Sequence, residues 1–187
     1  MTLNAGAGLP PWAEVAPKRR AHIERVVALA AQWADRMNVA ARERERWLRA
    51  AWLHDALRDA DPAIIERWAP EADVPIALRH GAASAARAAA EGETDPGVLD
   101  AVRYHSFGYA GWEMVGRVLY CADYLEPGRA FKREWRAQVA AEFPGDPTGA
   151  VRAVASDRLR HLVESGWPIP ELTVGFWNGV VASSGPR

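Results

Sequence analysis

Apolar residues along this chain recur at steps of three and four rather than two, the spacing of helices with one buried face. After Pro17, the residues His22, Val26, Leu29, Trp33 and Met37 form one such stripe. Pro17 suits the first turn of a helix, where a missing N–H costs nothing. A second helix is predicted from about Ala41 to Arg58, with Trp47, Leu48 and Ala51 on its buried face. His54 and Asp55 lie one heptad past Trp47 and Leu48, so both flank that face instead of meeting water.

Asp61-Pro62 predicts a capped short helix, "PAIIERWA", and a small-residue helix follows Pro75 with His80 near its start. Asp95-Pro96 opens another, on which Val98, Ala101, Val102 and His105 share a face; "SFGYAG" is a turn. The next helix carries Val115, Leu119 and Asp123 at steps of four and is stopped by "EPGR". Two more are expected over about 132–143 and 147–165, split by "PGDP". The final "WPIPELTVGFWNGVVASSGPR" shows no clear helical period and is expected to be a packed tail. Residues 1–16 read as a flexible leader and 17–187 as a single all-α domain, a helical bundle without internal repeats.

Composition narrows the function. The 187 residues suit one domain. A chain of this size buries roughly 70% of its unfolded surface, so its core needs no disulfides. One cysteine, Cys121, fits a reducing compartment and excludes a thiolate zinc knuckle. A net charge of −1 with 25% charged residues lacks the basic footprint of a duplex binder. The N-terminus has no basic segment followed by an apolar stretch, and no apolar run reaches the ~18 residues of a membrane span. A cytoplasmic protein is expected. Most of the nine tryptophans are expected in the core.

Against this background the polar residues on inward faces stand out. Four of the five histidines, together with Asp55 and Asp123, lie on or beside the buried faces of separate helices. Burying an unpaired carboxylate is expensive. Imidazoles and carboxylates can share one partner, a divalent metal. Donors of this kind, without thiolate, suit Fe, Mn, Co or Zn better than Mg or Ca. Six donors exceed the needs of one catalytic metal and suit two metals about 3.5–4 Å apart, one carboxylate bridging them.

The ordered set His22, His54-Asp55, His80, His105 and Asp123 resembles the HD superfamily of metal-dependent phosphohydrolases. "WLHDALRD" looks like its HD motif, "AVRYHSFG" like its distal histidine segment, and "VLYCADYLEPGRAF" like its terminal aspartate segment. Together they are similar to the YqeK family, which hydrolyses diadenosine tetraphosphate symmetrically to two ADP using bound iron. The resemblance spans about residues 17 to 178. It implies an HD-domain helical bundle in which His22, His54, Asp55 and Asp123 hold one metal. Asp55, His80 and His105 would hold the other. It further implies Asp55 and Arg58 as catalytic residues, and Arg58, Ser106 and Arg129 as contacts to the nucleotide. Arg58 stands where the family usually has Lys, and Ser106 where Thr is common. Arginine keeps the charge but presents a planar fork in place of a point charge.

Several residues near these segments are assigned humbler roles. Lys132 and Arg133 read as solvated charges, Cys121 as a neutral core thiol, His161 as structural or exposed, and Trp112 and Tyr109 as packing. The partner expected is a small nucleotide, without nucleic acid or membrane; a homodimer is compatible with this. The alternatives are another HD phosphohydrolase or a binding module that keeps metal for structure. The former class includes a nucleotide phosphatase, a guanosine-polyphosphate hydrolase and a cyclic-nucleotide phosphodiesterase.

Overall fold

The computed structural model describes residues 8–70 and 74–182. Among them the regular elements are nine α-helices and one 3-10 turn, as the helical periodicity predicts. They are α1 (Pro17–Arg36), α2 (Ala41–Leu53), α3 (Pro62–Trp68), the 3-10 turn Ile76–Leu78, α4 (His80–Ala90) and α5 (Pro96–Tyr104). Then come α6 (Met114–Leu125), α7 (Arg133–Glu142), α8 (Pro147–Glu164) and α9 (Glu171–Ala182). Four begin with proline in the first turn. Three of those carry an Asp-Pro start, whose aspartate accepts a backbone N–H from Ala63, Val98 or Gly149.

Helix α6 is the centre of the bundle and packs against α1, α2, α5, α7 and α8. Val115, Val118, Leu119, Tyr120 and Ala122 are buried all around it, as a core helix requires. Trp33 of α1 stacks on Phe143 at 3.9 Å and donates its indole N–H to the Ala140 carbonyl, clamping the end of α7 onto α1. A smaller apolar cluster of Leu57, Ile65, Ala69 and Ala83 holds α3 against α4.

Three expectations are corrected. Helix α2 ends at Leu53, so His54 and Asp55 lie in a run of turns and not in a helix interior. There Ala56, Arg58 and Ala60 bond three residues back, to Leu53, Asp55 and Leu57. The Leu57 N–H is diverted to Ser84 Oγ on α4. The tail is helix α9 from Glu171, with Thr173, Phe176 and Val180 buried at helical spacing. Leu172, Val174 and Val181 remain exposed on its other faces, which blurs the period in sequence. The leader is docked over its second half. Glu14 N–H donates to the Ala56 carbonyl, Ala16 N–H to Asp59, and Trp12 packs on the apolar clusters. Residues 1–7 lie outside the described residues.

Asp95 caps α5 and also binds Arg46 of α2 through both oxygens, at 2.7 and 3.0 Å. Burial works against its charge, but the Arg46 guanidinium and the Val98 N–H together hold its carboxyl below the usual range. Asp95→Ala is therefore expected to cost roughly 2 kcal/mol in a urea unfolding experiment, a cap plus a charged hydrogen bond. Because the folded pKa is depressed, that contribution is complete above the ordinary carboxylate pKa of about 4. It fades as pH falls through the lower folded value, so wild type and variant should converge in acid.

Candidate metal centre

Five segments deliver the six predicted donors to one place. His22 comes from α1, His54 and Asp55 from the turn after α2, and His80 from the first residue of α4. His105 caps α5, and Asp123 lies in the last turns of the central α6. All six are buried. Their ligand atoms form two triads, His22–His54–Asp123 and Asp55–His80–His105, each within 4.8 Å.

Asp55 joins the two triads with one oxygen apiece. Its Oδ2 lies 3.7 Å from His22 Nε2 and 3.6 Å from His54 Nε2. Its Oδ1 lies 3.2 Å from His80 Nε2 and 3.5 Å from His105 Nε2. A carboxylate so placed has the geometry to bridge two cations.

The histidines are held by their other nitrogen. Nδ1 of His54, His80 and His105 each meets the carbonyl three residues earlier, Ala51, Ala77 and Val102, at 2.8, 3.1 and 2.7 Å. That fixes the tautomer and turns Nε2 inward, the outer-shell arrangement usual for metal-bound imidazole. His22 uses a carboxylate for the same purpose, with Nδ1 3.1 Å from Glu126 Oε1. Glu126 is itself fixed by Arg25 at 2.5 Å and by the Gly128 N–H at 2.6 Å.

The electrostatics keep most donors in the form a cation needs. Burial pushes His54 down to about 4 and lowers His80, so both rings are neutral at pH 7. Burial opposes ionisation of Asp55 and Asp123 too, but the imidazoles around Asp55 and the Arg129, His22 and Arg158 groups around Asp123 outweigh it. Both carboxyls sit well below their ordinary range. His22 is the exception. Burial would lower it, yet hydrogen bonds to Asp123 and Glu126 raise it to about 9, so a metal there displaces a proton.

The donors fit a metal. His54 Nε2 is a buried polar atom with no hydrogen-bond partner, and it points into the first triad. Buried groups of this kind ordinarily have one. With only imidazole and carboxylate donors, the set matches Fe, Mn, Co or Zn.

Other predicted residues take up places around the rim. Arg58 donates to the Ala77 carbonyl at 2.9 Å, sharing it with His80. Ser106 Oγ is 3.2 Å from His105 Nε2. Arg129 grips Asp123 twice, through its carbonyl at 3.0 Å and Oδ1 at 2.6 Å. Cys121 is a buried thiol whose pKa burial raises further, and Trp112 is a core residue. Lys132 is exposed, as expected of a solvated charge, and pairs with Asp157 at 2.5 Å.

Sequence reasoning missed Glu126, Arg19, Gly81 and Arg158. Glu126 lies within the "VLYCADYLEPGRAF" segment, but its role appears only when α1 packs on α6. Arg19 donates to Asp55 Oδ2 at 2.8 Å, one turn before His22 on the same helix, a spacing legible in sequence. Gly81 lets α4 approach the end of α5. A Cβ there would lie 2.8 Å from the Val102 carbonyl and 3.0 Å from His105 Nδ1. That approach brings His80 Nε2 to 3.1 Å from His105 Nε2.

Residues 19–128, which hold all six donors, match the HD domain. The chain belongs to the HD-domain family. Among curated relatives, it resembles the symmetrical bis(5'-nucleosyl)-tetraphosphatase of Bacillus subtilis. The two are 32% identical over 93 residues, 50% of this chain and 49% of that protein. The enzyme of the same name from Halalkalibacterium halodurans is 28% identical over 87 residues, 46% of each. The chain thus spans about half the length of the curated relatives it matches. A crystal structure from Clostridium acetobutylicum, described as a predicted HD superfamily hydrolase involved in NAD metabolism, superposes with a TM-score of 0.76. It covers 90% of this chain and 92% of its own at 21% identity, a likeness of fold.

The two triads predict about two transition metals per chain. Asp55→Ala should deplete both, because each triad loses a contact, whereas His80→Ala should keep the first. Elemental analysis of protein purified without chelator reads both results; wild type without metal would refute the assignment. Gly81→Ala offers an independent check, since it forces α4 away from the His105 turn. It should weaken the second triad's metal and spare the first, measured by metal titration.

Proposed function

We propose that this protein is a hydrolase that cleaves diadenosine tetraphosphate symmetrically to two ADP, with two metals, iron foremost, that the two triads and Asp55 would hold. The observation that carries the reading is a pair of neighbouring cavities, each lined by one residue of the first triad. One, of about 620 Å³, is lined by Asp123, Ser106, Tyr124, Phe131 and Arg158. The other, of about 520 Å³, is lined by His22, Lys18, Arg19, Arg25 and Phe131. Arg129 and Phe131 form a wall common to both. A substrate with two nucleoside ends needs room on both sides of the scissile bond. A nucleotide with one end needs only one side. The names of the two curated relatives support the same substrate.

Metals bound here supply Lewis acidity to phosphoryl oxygens and a more acidic water. The chain's own residues arrange the rest. Arg58, beside His80, and Arg129, between the cavities, bring fixed positive charge to the phosphate chain as negative charge builds. Ser106 presents a hydroxyl at the edge of the second triad. Lys18 and Arg25 make the second cavity basic, suited to the half that departs. Water adds to one of the two inner phosphorus atoms. The central P–O bond breaks, and the bridging oxygen leaves with the second ADP. No helix among the described residues is long and apolar enough to cross a membrane.

Turnover in ¹⁸O-labelled water tests this. ADP should be the sole nucleotide product, with label in half of it. ATP plus AMP would mean that the phosphate chain lies in another register, and preferred turnover of a mononucleotide from a panel would overturn the reading. Arg58→Ala should lower turnover by about 10²-fold with metal content unchanged, the usual size of losing an electrostatic stabiliser.

A further inference from the structure

Helix α8 lies beyond residue 128, where the match to the HD domain ends, yet one of its side chains reaches the metal centre. The guanidinium of Arg158 lies over the rings of Tyr120 and Tyr124, 4.4 and 4.9 Å from their centroids. From there Nη2 donates to Asp123 Oδ2 at 3.0 Å, and Nη1 to the Ser106 carbonyl at 3.3 Å. The other oxygen of Asp123, Oδ1, lies 3.1 Å from His22 Nε2. Oδ1 thus faces the first triad and also accepts from the part-exposed Arg129 at 2.6 Å, while Oδ2 is held from α8 by Arg158. Ser106 directly follows His105, so the same guanidinium also ties down the turn that carries a donor of the second triad.

We propose that Arg158 is a positioning residue for the metal centre, which holds Asp123 with Oδ1 facing the first triad. The terminal torsion of an aspartate is broad and roughly two-fold, so a carboxylate held only at Oδ1, by the part-exposed Arg129, would spread over orientations that do not serve a metal. Two aromatic faces and a planar fork leave Arg158 little freedom, and it passes that restriction to Asp123. Lysine would keep the charge and lose the second contact. The inference rests on the two-metal reading of the centre and on no particular substrate.

The sign of the effect separates positioning from charge. A cation beside Asp123 repels a metal ion, so on Coulomb's law alone its removal should tighten metal binding. Loss of a positioning partner should weaken binding, by about 10- to 100-fold for outer-shell partners of metal ligands. The experiment titrates Mn²⁺ into chelator-stripped full-length protein carrying His80→Ala, so that the first triad is read alone. Adding Arg158→Gln is expected to weaken binding by at least about 10-fold. Unchanged or tighter binding overturns the proposal. Failure of His80→Ala itself to bind Mn²⁺ would instead bring down the metal-centre reading, and the proposal with it. Melting temperatures of the stripped proteins verify the fold. If Arg158→Gln melts early, Arg158→Lys, which keeps a cation over the tyrosines, carries the measurement; it should show a smaller loss, and no loss overturns the proposal.

Discussion

A carboxylate withdrawn from water has to be matched on every side, and Asp55 is matched by four imidazoles and the Arg19 guanidinium. Around it the requirements multiply outward. Each imidazole must offer Nε2 inward, so each Nδ1 needs an acceptor behind it. For three rings that acceptor is a carbonyl of the same local segment, supplied by a helix end or turn. His22 sits inside α1, and its acceptor comes from Glu126 at the far end of α6. The packing of α1 on α6 is thus tied to the tautomer of one ring.

The bundle supplies those contacts through its ends. His54, His80, His105 and Glu126 all stand at helix termini, where main-chain groups lack helical partners. The Asp-Pro starts of α3 and α5 set where the neighbouring segments begin, and Gly81 sets how near α4 comes to α5. Closeness that a side chain would forbid here becomes a distance between two ligands.

Much of this was legible in the sequence because buried faces are apolar by default. His22 on a stripe with Val26 and Trp33, or Asp123 in line with Val115 and Leu119, is conspicuous for that reason alone. Asp-Pro and Pro-Gly pairs marked several helix limits for equally local causes. What was hidden depends on distant partners. Nothing near Leu53 announces that α2 stops there, since the diverted N–H of Leu57 is answered by Ser84. Arg158 is an ordinary charged residue on a helix until α8 meets α6. The reverse failure occurred in α9, where apolar residues outside the buried face drowned a period that Thr173, Phe176 and Val180 obey.

The part-exposed arginines on the two carboxylates of the centre bear on how a cation would reach it. The imidazoles are already turned inward by their Nδ1 partners, so an arriving cation finds them waiting and no helix has to move. Arg19 and Arg129, by contrast, sit on Asp55 and Asp123 with side chains 28% and 33% exposed, long enough and wet enough to swing out. Access of a cation from that side would then need only the rotation of two surface side chains, a motion of picoseconds to nanoseconds, and no movement of a helix.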